Sequence, residues 1–218
     1  MAIHKKTGYG SEASTGRIGN VVFYILNGKL VSRTIGKTNS VSDKQRTVRQ
    51  KMSTVIKVLS SVYPYINIGF EVTAKKQKKN PHNIAVSLNF DAASGTYPNV
   101  QFDYTKMILS KGTLQAPAEP RVELQGNELQ FTWDDPAGPG ASYASDQVML
   151  LAYYPEIHHA VFVIAGGKRS SLRAVLALPK LKGVTIVETY MSFRSGNQKM
   201  ISNSVYTGQI IISKSLNT

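Results

Sequence analysis

"ELQFTWDD", residues 128–135, decides the fold class, because it sets the chain's single tryptophan, Trp133, on a short strand-like run before turn residues. That is where a sandwich-core tryptophan sits on an early strand. Working outward, no helical periodicity is found from Pro117 onward. The runs "RVELQ", "ELQFTW", "DQVMLLAYY", "AVFVIAG", "SLRAVLAL", "GVTIVETYMSF" and "SVYTGQIII" follow one another instead, most of them separated by turn signals. Seven short runs spaced this way predict an antiparallel β-sandwich over residues 115–218.

Cysteine is absent from the 218 residues, so an immunoglobulin disulfide core is excluded, as are thiolate chemistry and Cys-based zinc sites. The sandwich is therefore closer in likeness to a fibronectin type III domain than to a disulfide-bonded Ig domain. "TYMSFRSGNQKMISNSVYTGQIII", residues 189–212, resembles its last hairpin. Upstream, "IGNVVFYILNGKLVSRTI" (18–35) places two β-branched and aromatic runs around Asn27-Gly28, the pair best able to adopt the two positive φ angles of a type I′ turn. Val48, Met52, Val55, Ile56 and Leu59 then recur at spacings of three and four, predicting an amphipathic helix over 42–62. Ser42 and Gln45 have capping-box spacing, and Pro64 is expected to end the segment. Asn80-Pro81 reads as an N-cap with a proline at the first helical position, opening a short helix over 81–90. A strand is expected at 100–110. The layout is mainly β with an α+β N-terminal part: a flexible Gly/Ser-rich arm at 1–17, a small α+β domain at 18–114, and the sandwich at 115–218.

An apolar fraction of 42% suffices for a core, and 26 Lys+Arg against 13 Asp+Glu give a formal net charge of +13. A surface so charged attracts polyanions. The start "MAIHKKTGYG" lacks the apolar run of a secretory signal, and no stretch reaches the ~18 apolar residues of a membrane span. Synthesis in the cytoplasm is expected, with non-classical export or incorporation into a particle left open.

Five segments carry a further likeness: "GRIGNVV" (16–22), "VSDKQRTVRQKM" (41–52), "NPHNIAVSLNF" (80–90), "YPNVQFDYTKMILSKGTL" (97–114), and "FTWDD" with "DQVMLLAYYPE" (131–135, 146–156). Through them the chain resembles a family of small basic Bacteroidota proteins of unassigned function. The similarity covers most of residues 8–156. It implies a two-part layout and a non-enzymatic role, and brings no catalytic residues with it.

In "GYGSEASTGRIGN" (8–20), Gly10 and Gly16 are one residue too far apart for a Walker A loop, and a strand follows where a helix should. Only Gly8 and Gly10 fit a dinucleotide fingerprint. We read the segment as an arm entering the hairpin. His158 and His159 are adjacent, so on a strand they face opposite ways and do not converge on a metal. His4 and His82 lie apart from them. Asp134, Asp135 and Asp146 bracket "DDPAGPGASYASD", which has oxygen ligands of the type Ca²⁺ takes but irregular spacing and no bidentate Glu. No cofactor and no metal are expected, and no nucleophile–base arrangement stands out.

Two functional classes follow. The first is a non-enzymatic structural or interaction protein that assembles with itself or another protein. Its candidate residues are Gly8, Gly10, Gly16, Arg17, Gly19 and Asn20 in the arm and Asn27 and Gly28 at the hairpin turn, acting through strand addition. The alternative is a binder of nucleic acid or another polyanion, using Lys75, Lys76, Lys78 and Lys79 of "KKQKK" with Lys168, Arg169 and Arg173 of "GGKRSSLR".

Overall fold

The computed structural model describes residues 3–6, 12–36, 40–134, 145–179 and 183–214. Contacts divide the chain into two compact units, Met1–Ser42 and Asp43–Thr218.

The first unit is an antiparallel sheet in chain order: β1 (Ile3–Lys6), β2 (Glu12–Ile18), β3 (Val21–Leu26) and β4 (Lys29–Thr34). The β3–β4 hairpin forms as its sequence requires, with φ of 50° at Asn27 and 78° at Gly28, and Leu26 opposite Lys29. Gly19, at φ 59°, turns β2 into β3, and the Ile35 amide donates to the Asn20 carbonyl at 2.7 Å. The arm expected to be flexible over 1–17 holds two strands instead. β2 pairs with β1 on one side (Ile3 opposite Thr15) and with β3 on the other (Gly16 opposite Phe23). A strand with a ladder on both sides overrides the weak strand preference of its small residues.

The second unit has three layers. Four helices form the first: α1 (Asp43–Ser61), α2 (Tyr63–Gly69), α3 (Glu71–Gln77) and α4 (Pro81–Asn89). A four-stranded sheet is the second, with β9 (Gln147–Tyr154), β10 (His159–Val163), β12 (Gly183–Arg194) and β13 (Val205–Lys214) in the order β10-β9-β12-β13. The third is a sheet of β7 (Ala118–Gln125), β8 (Glu128–Asp134) and β11 (Arg173–Ala177), ordered β11-β8-β7. A two-residue ladder, β5 (Ala93–Ser94) with β6 (Gln101–Phe102), completes the unit. All seven runs read from the sequence between 121 and 212 are strands, and the two sheets face each other as a β-sandwich. Trp133 is buried there against Phe193, ring centroids 5.7 Å apart, and its indole N–H donates to the Arg169 carbonyl at 3.0 Å.

The middle sheet is covered on both faces. From β9, Val148, Leu150, Ala152 and Tyr154 point into the sandwich core with Phe131, Met191 and Phe193. Met149, Leu151 and Tyr153 point the other way, into a core with Val55, Leu59, Ile66 and Phe70 of the helical layer. The boundary expected at 114/115 therefore does not separate two cores. The helices cover a sandwich sheet, and the division between units lies at 42/43.

Two other local readings change. α1 ends at Ser61, ahead of Pro64 as expected, but a second helix, α2, resumes at once with Pro64 in its first turn, since a proline there has no intrahelical N–H bond to lose. The buried residues Val62, Ile66, Phe70 and Ala74, four apart, carry the apolar stripe from α1 through α3. At 100–110 only Gln101–Phe102 is strand, followed by a 3₁₀ turn at Tyr104–Lys106. Beyond it the extended backbone is satisfied by side chains in place of a ladder. Asn89 donates its amide to the Ile108 carbonyl and accepts from the Ile108 N–H, both at 2.8 Å, and the Ser204 hydroxyl accepts from the Leu109 N–H at 2.9 Å. Gly69 is required where α2 meets this segment, because a Cβ there would run into the Leu109 carbonyl.

Phenols line both faces of the middle sheet. Burial raises the pKa values of Tyr65, Tyr153 and Tyr190 well above the ordinary tyrosine range, and pushes Tyr154 up to about 12. The fold thus holds these protons more tightly than the unfolded chain, whose tyrosines ionise near pH ~10. This stabilisation is fully present below pH ~10 and is lost as pH rises through the raised values. Urea midpoints should therefore stay level with respect to these groups up to pH ~10 and fall steeply above it. In an alkaline titration, tyrosinate absorbance from the buried phenols should appear together with loss of far-UV circular dichroism.

Candidate interaction surfaces

In the N-terminal sheet, none of the residues whose burial is described is buried. Ile18, Ile25, Leu26 and Leu30 are exposed, and Val21, Val22, Phe23 and Tyr24 are half-buried. β1 and β4 are its edge strands. Among the arm residues singled out in the sequence, Gly16 and Arg17 lie in β2 and Gly19-Asn20 form the turn, where the Arg17 Nε donates to the Gly19 carbonyl at 2.9 Å. Gly8 and Gly10 lie outside the described residues. The chain passes from β2 into β3 with no helix start behind the glycines, so the geometry of a Walker loop is not built here.

The basic residues fall in two places. Lys75 and Lys76 are in the last turn of α3, and Lys78, at φ 51°, is its left-handed C-cap, with Lys79 next in the chain. All four are exposed. Lys75 bonds Glu71 at 2.6 Å, and that bond holds the Glu71 carboxyl below its usual range. Lys168 and Arg173 are exposed as well.

Arg169 is a correction to the polyanion set. Its side chain is fully buried, with the guanidinium carbon 4.5 Å from the Phe193 ring centre. One terminal nitrogen (Nη1) lies 3.8 Å from Asp146 and donates to the Gln115 carbonyl at 3.3 Å. The Arg169 amide also donates to the Asp146 carbonyl at 2.6 Å, so main chain and side chain together tie the 3₁₀ turn at Arg169–Ser171 to the start of β9. Burial pushes the Asp146 carboxyl up, while the guanidinium opposes that shift.

The remaining candidates are dispersed. Asp146 serves Arg169, Asp134 is 3.9 Å from Arg121, and Asp135 lies outside the described residues. His158 contacts the Tyr153 hydroxyl through Nδ1 at 3.1 Å, while the His159 ring lies against Tyr154 and the His82 ring against Tyr63. His4 is in β1. Among the described residues no group of three or more His, Asp and Glu side chains is placed to hold a metal ion.

One surface escaped the sequence reading. Val48, Met52, Val55, Ile56 and Leu59 share one apolar face of α1 by their spacing, yet only Val55 and Leu59 of the five are buried. Val48 (53% exposed), Met52 and Ile56 line an open groove of about 730 Å³ with Val86 of α4 and Phe90. Contiguous exposed apolar surface of this kind is characteristic of interaction sites. Periodicity locates such a stripe but does not tell its buried edge from its open one.

These features define a β-sandwich protein with a helical layer on one sheet and a separate N-terminal sheet. The chain belongs to a family of unknown function, DUF6266, whose model matches residues 13–208. Comparison with curated proteins finds no match. No helix among the described residues is long and apolar enough to cross a membrane.

Removing one partner of the buried pair tests its structural role. Arg169→Met should cost about 3–5 kcal/mol by leaving Asp146 buried without its cation. Pairing it with Asp146→Asn should recover part of that loss. Urea denaturation of the single and double variants measures both.

Proposed function

We propose that this is a non-enzymatic structural or interaction protein that associates with copies of itself through its N-terminal sheet. One observation carries the reading: the sheet of β1 to β4 forms a compact unit of its own, yet none of its residues with described burial is buried. A sheet is stabilised by covering one face, and an open edge strand offers unpaired N–H and C=O groups to another chain. Strand addition at β4 or β1 supplies main-chain hydrogen bonds, and the exposed Ile25, Leu26 and Leu30 supply apolar contact. Such a head-to-tail contact builds rings or open filaments, according to whether its rotation closes. We further read the three-on-four strand arrangement of the sandwich as fibronectin type III-like, a scaffold that presents such a surface.

The phase of the hairpin selects the decisive variant. In a two-residue hairpin the pair beside the turn, Leu26 and Lys29, exchanges hydrogen bonds, and alternate pairs do so onward. The N–H groups of Leu30 and Ser32 consequently point away from β3, toward the free edge. Light scattering and electron microscopy of the full-length protein should reveal species larger than one chain. Deleting residues 1–17 should abolish them, and Ser32→Pro should weaken association at least tenfold with circular dichroism unchanged. A full-length chain that stays monomeric across all concentrations overturns the reading.

The exposed lysines at the end of α3 favour a second reading, binding of nucleic acid or another polyanion. It expects retention on DNA that falls steeply with salt and weakens when Lys75, Lys76, Lys78 and Lys79 are replaced together by Gln.

A further inference from the structure

Between α3, α4 and the extended segment that follows the 3₁₀ turn lies a small recess of about 130 Å³, several times the ~30 Å³ share of a liquid water. Thr73 and Gln77 of α3, Asn83 and Ser87 of α4, Lys79 between the helices, and Lys111 line it. Its charge is one-sided. Beside the apolar Ile84 and Leu88, the lining residues include two lysines, two with carboxamides and two with hydroxyls, and no acidic side chain lines the recess. The neighbouring Lys75 is committed to Glu71, whereas among the described residues Lys79 and Lys111 have no carboxylate within ion-pair distance.

The frame around the recess is fixed by the fold. The left-handed C-cap at Lys78 turns the chain back, and the Lys79 amide donates to the Ala74 carbonyl at 3.1 Å. Asn80 accepts the His82 N–H at 2.8 Å and so starts α4 directly after Lys79. Across the recess, Thr73 donates its hydroxyl to the Lys111 carbonyl at 2.9 Å, and the Lys111 amide donates to the Gly69 carbonyl at 3.1 Å. Both lysines thus spring from backbone held in place by main-chain hydrogen bonds.

We propose that this recess is a binding site for a phosphate dianion, free or as a phosphomonoester. Two lysines match the charge of −1.5 to −2 that such a group carries near neutral pH, where a carboxylate would need only one. The Asn83 and Gln77 amides and the Ser87 hydroxyl supply directed donors to the remaining oxygens. The site lies wholly outside β1 to β4, so its outcome is independent of self-association.

Backbone-amide NMR of the ¹⁵N-labelled full-length chain tests it, with inorganic phosphate and phosphoserine as probes at constant ionic strength. Saturable shifts are expected at Lys79, Asn83, Ser87 and Lys111, with a Kd of about 1 mM or tighter. Lys79→Gln with Lys111→Gln should weaken binding at least tenfold, while Lys75→Gln with Lys76→Gln leaves it within twofold. Saturation by inorganic phosphate alone marks a free-anion site. Saturation by phosphoserine as well marks one that accepts esters. A 12-nucleotide single strand that displaces phosphate from these amides identifies a strand-terminal or backbone phosphate as the source, and the anion site stands. Shifts that fail to saturate, or equal weakening by the two lysine pairs, overturn the proposal, because diffuse positive charge then explains the binding.

Discussion

The burial of the middle sheet on both faces is the constraint from which the second unit follows. A strand covered on one side alternates apolar and polar residues, whereas β9 shows seven buried residues in succession from Val148 to Tyr154. Once Met149, Leu151 and Tyr153 are apolar, the face they form must be covered, and α1 to α3 supply the cover. Polar groups on that face are then obliged to find partners. Tyr65 reaches from α2 to Ser192 at 2.9 Å, Tyr190 donates to the Tyr104 carbonyl at 2.6 Å, and Tyr206 donates to the buried Glu188 at 2.6 Å. The first of these bonds ties α2 to the sheet, and all three satisfy phenols whose burial without a partner would be costly.

The same strand explains what could be read in advance and what could not. Seven strands, the Asn27-Gly28 turn and the Asn80-Pro81 helix start are local: each depends on residues within a few positions of one another. The sharing of one core by helices and sandwich is not local. "QVMLLAYY" carried the signal, but a continuous apolar run announces only a buried strand and does not say what lies on its second face. The segment 100–110 misled for a related reason. Its residues have strand character, and its backbone partners are the side chains of Asn89 and Ser204, one just before it and the other some ninety positions later.

The charged residues divide along a line that counting does not reveal. Arg169 sits in a basic cluster by sequence, yet its guanidinium is in the sandwich core beside Phe193 and Asp146. Nothing in "GGKRSSLR" distinguishes it from Lys168, which is exposed. The stacking of a planar, weakly hydrated guanidinium on an aromatic ring is an arginine property, so the identity of the buried member has a physical reason even though its position was hidden. The α1 residues behave similarly: Val48 and Val55 are equivalent by periodicity, and only the placement of α4 makes one a groove and the other a core.

What separates the two units is the way each satisfies its sheet. Among its described residues, the second unit spends its apolar residues inward, into two buried clusters, and leaves most of its charge outside. The first unit satisfies its backbone through three successive ladders but buries none of the side chains whose exposure is described. Hydrogen bonds between strands stabilise a sheet only modestly in water, because the same groups bond to solvent when the strands part. On the proposed reading, covering a face or an edge adds to the stability of this sheet, and the exposed apolar side chains on β3 and β4 are where another chain would do so.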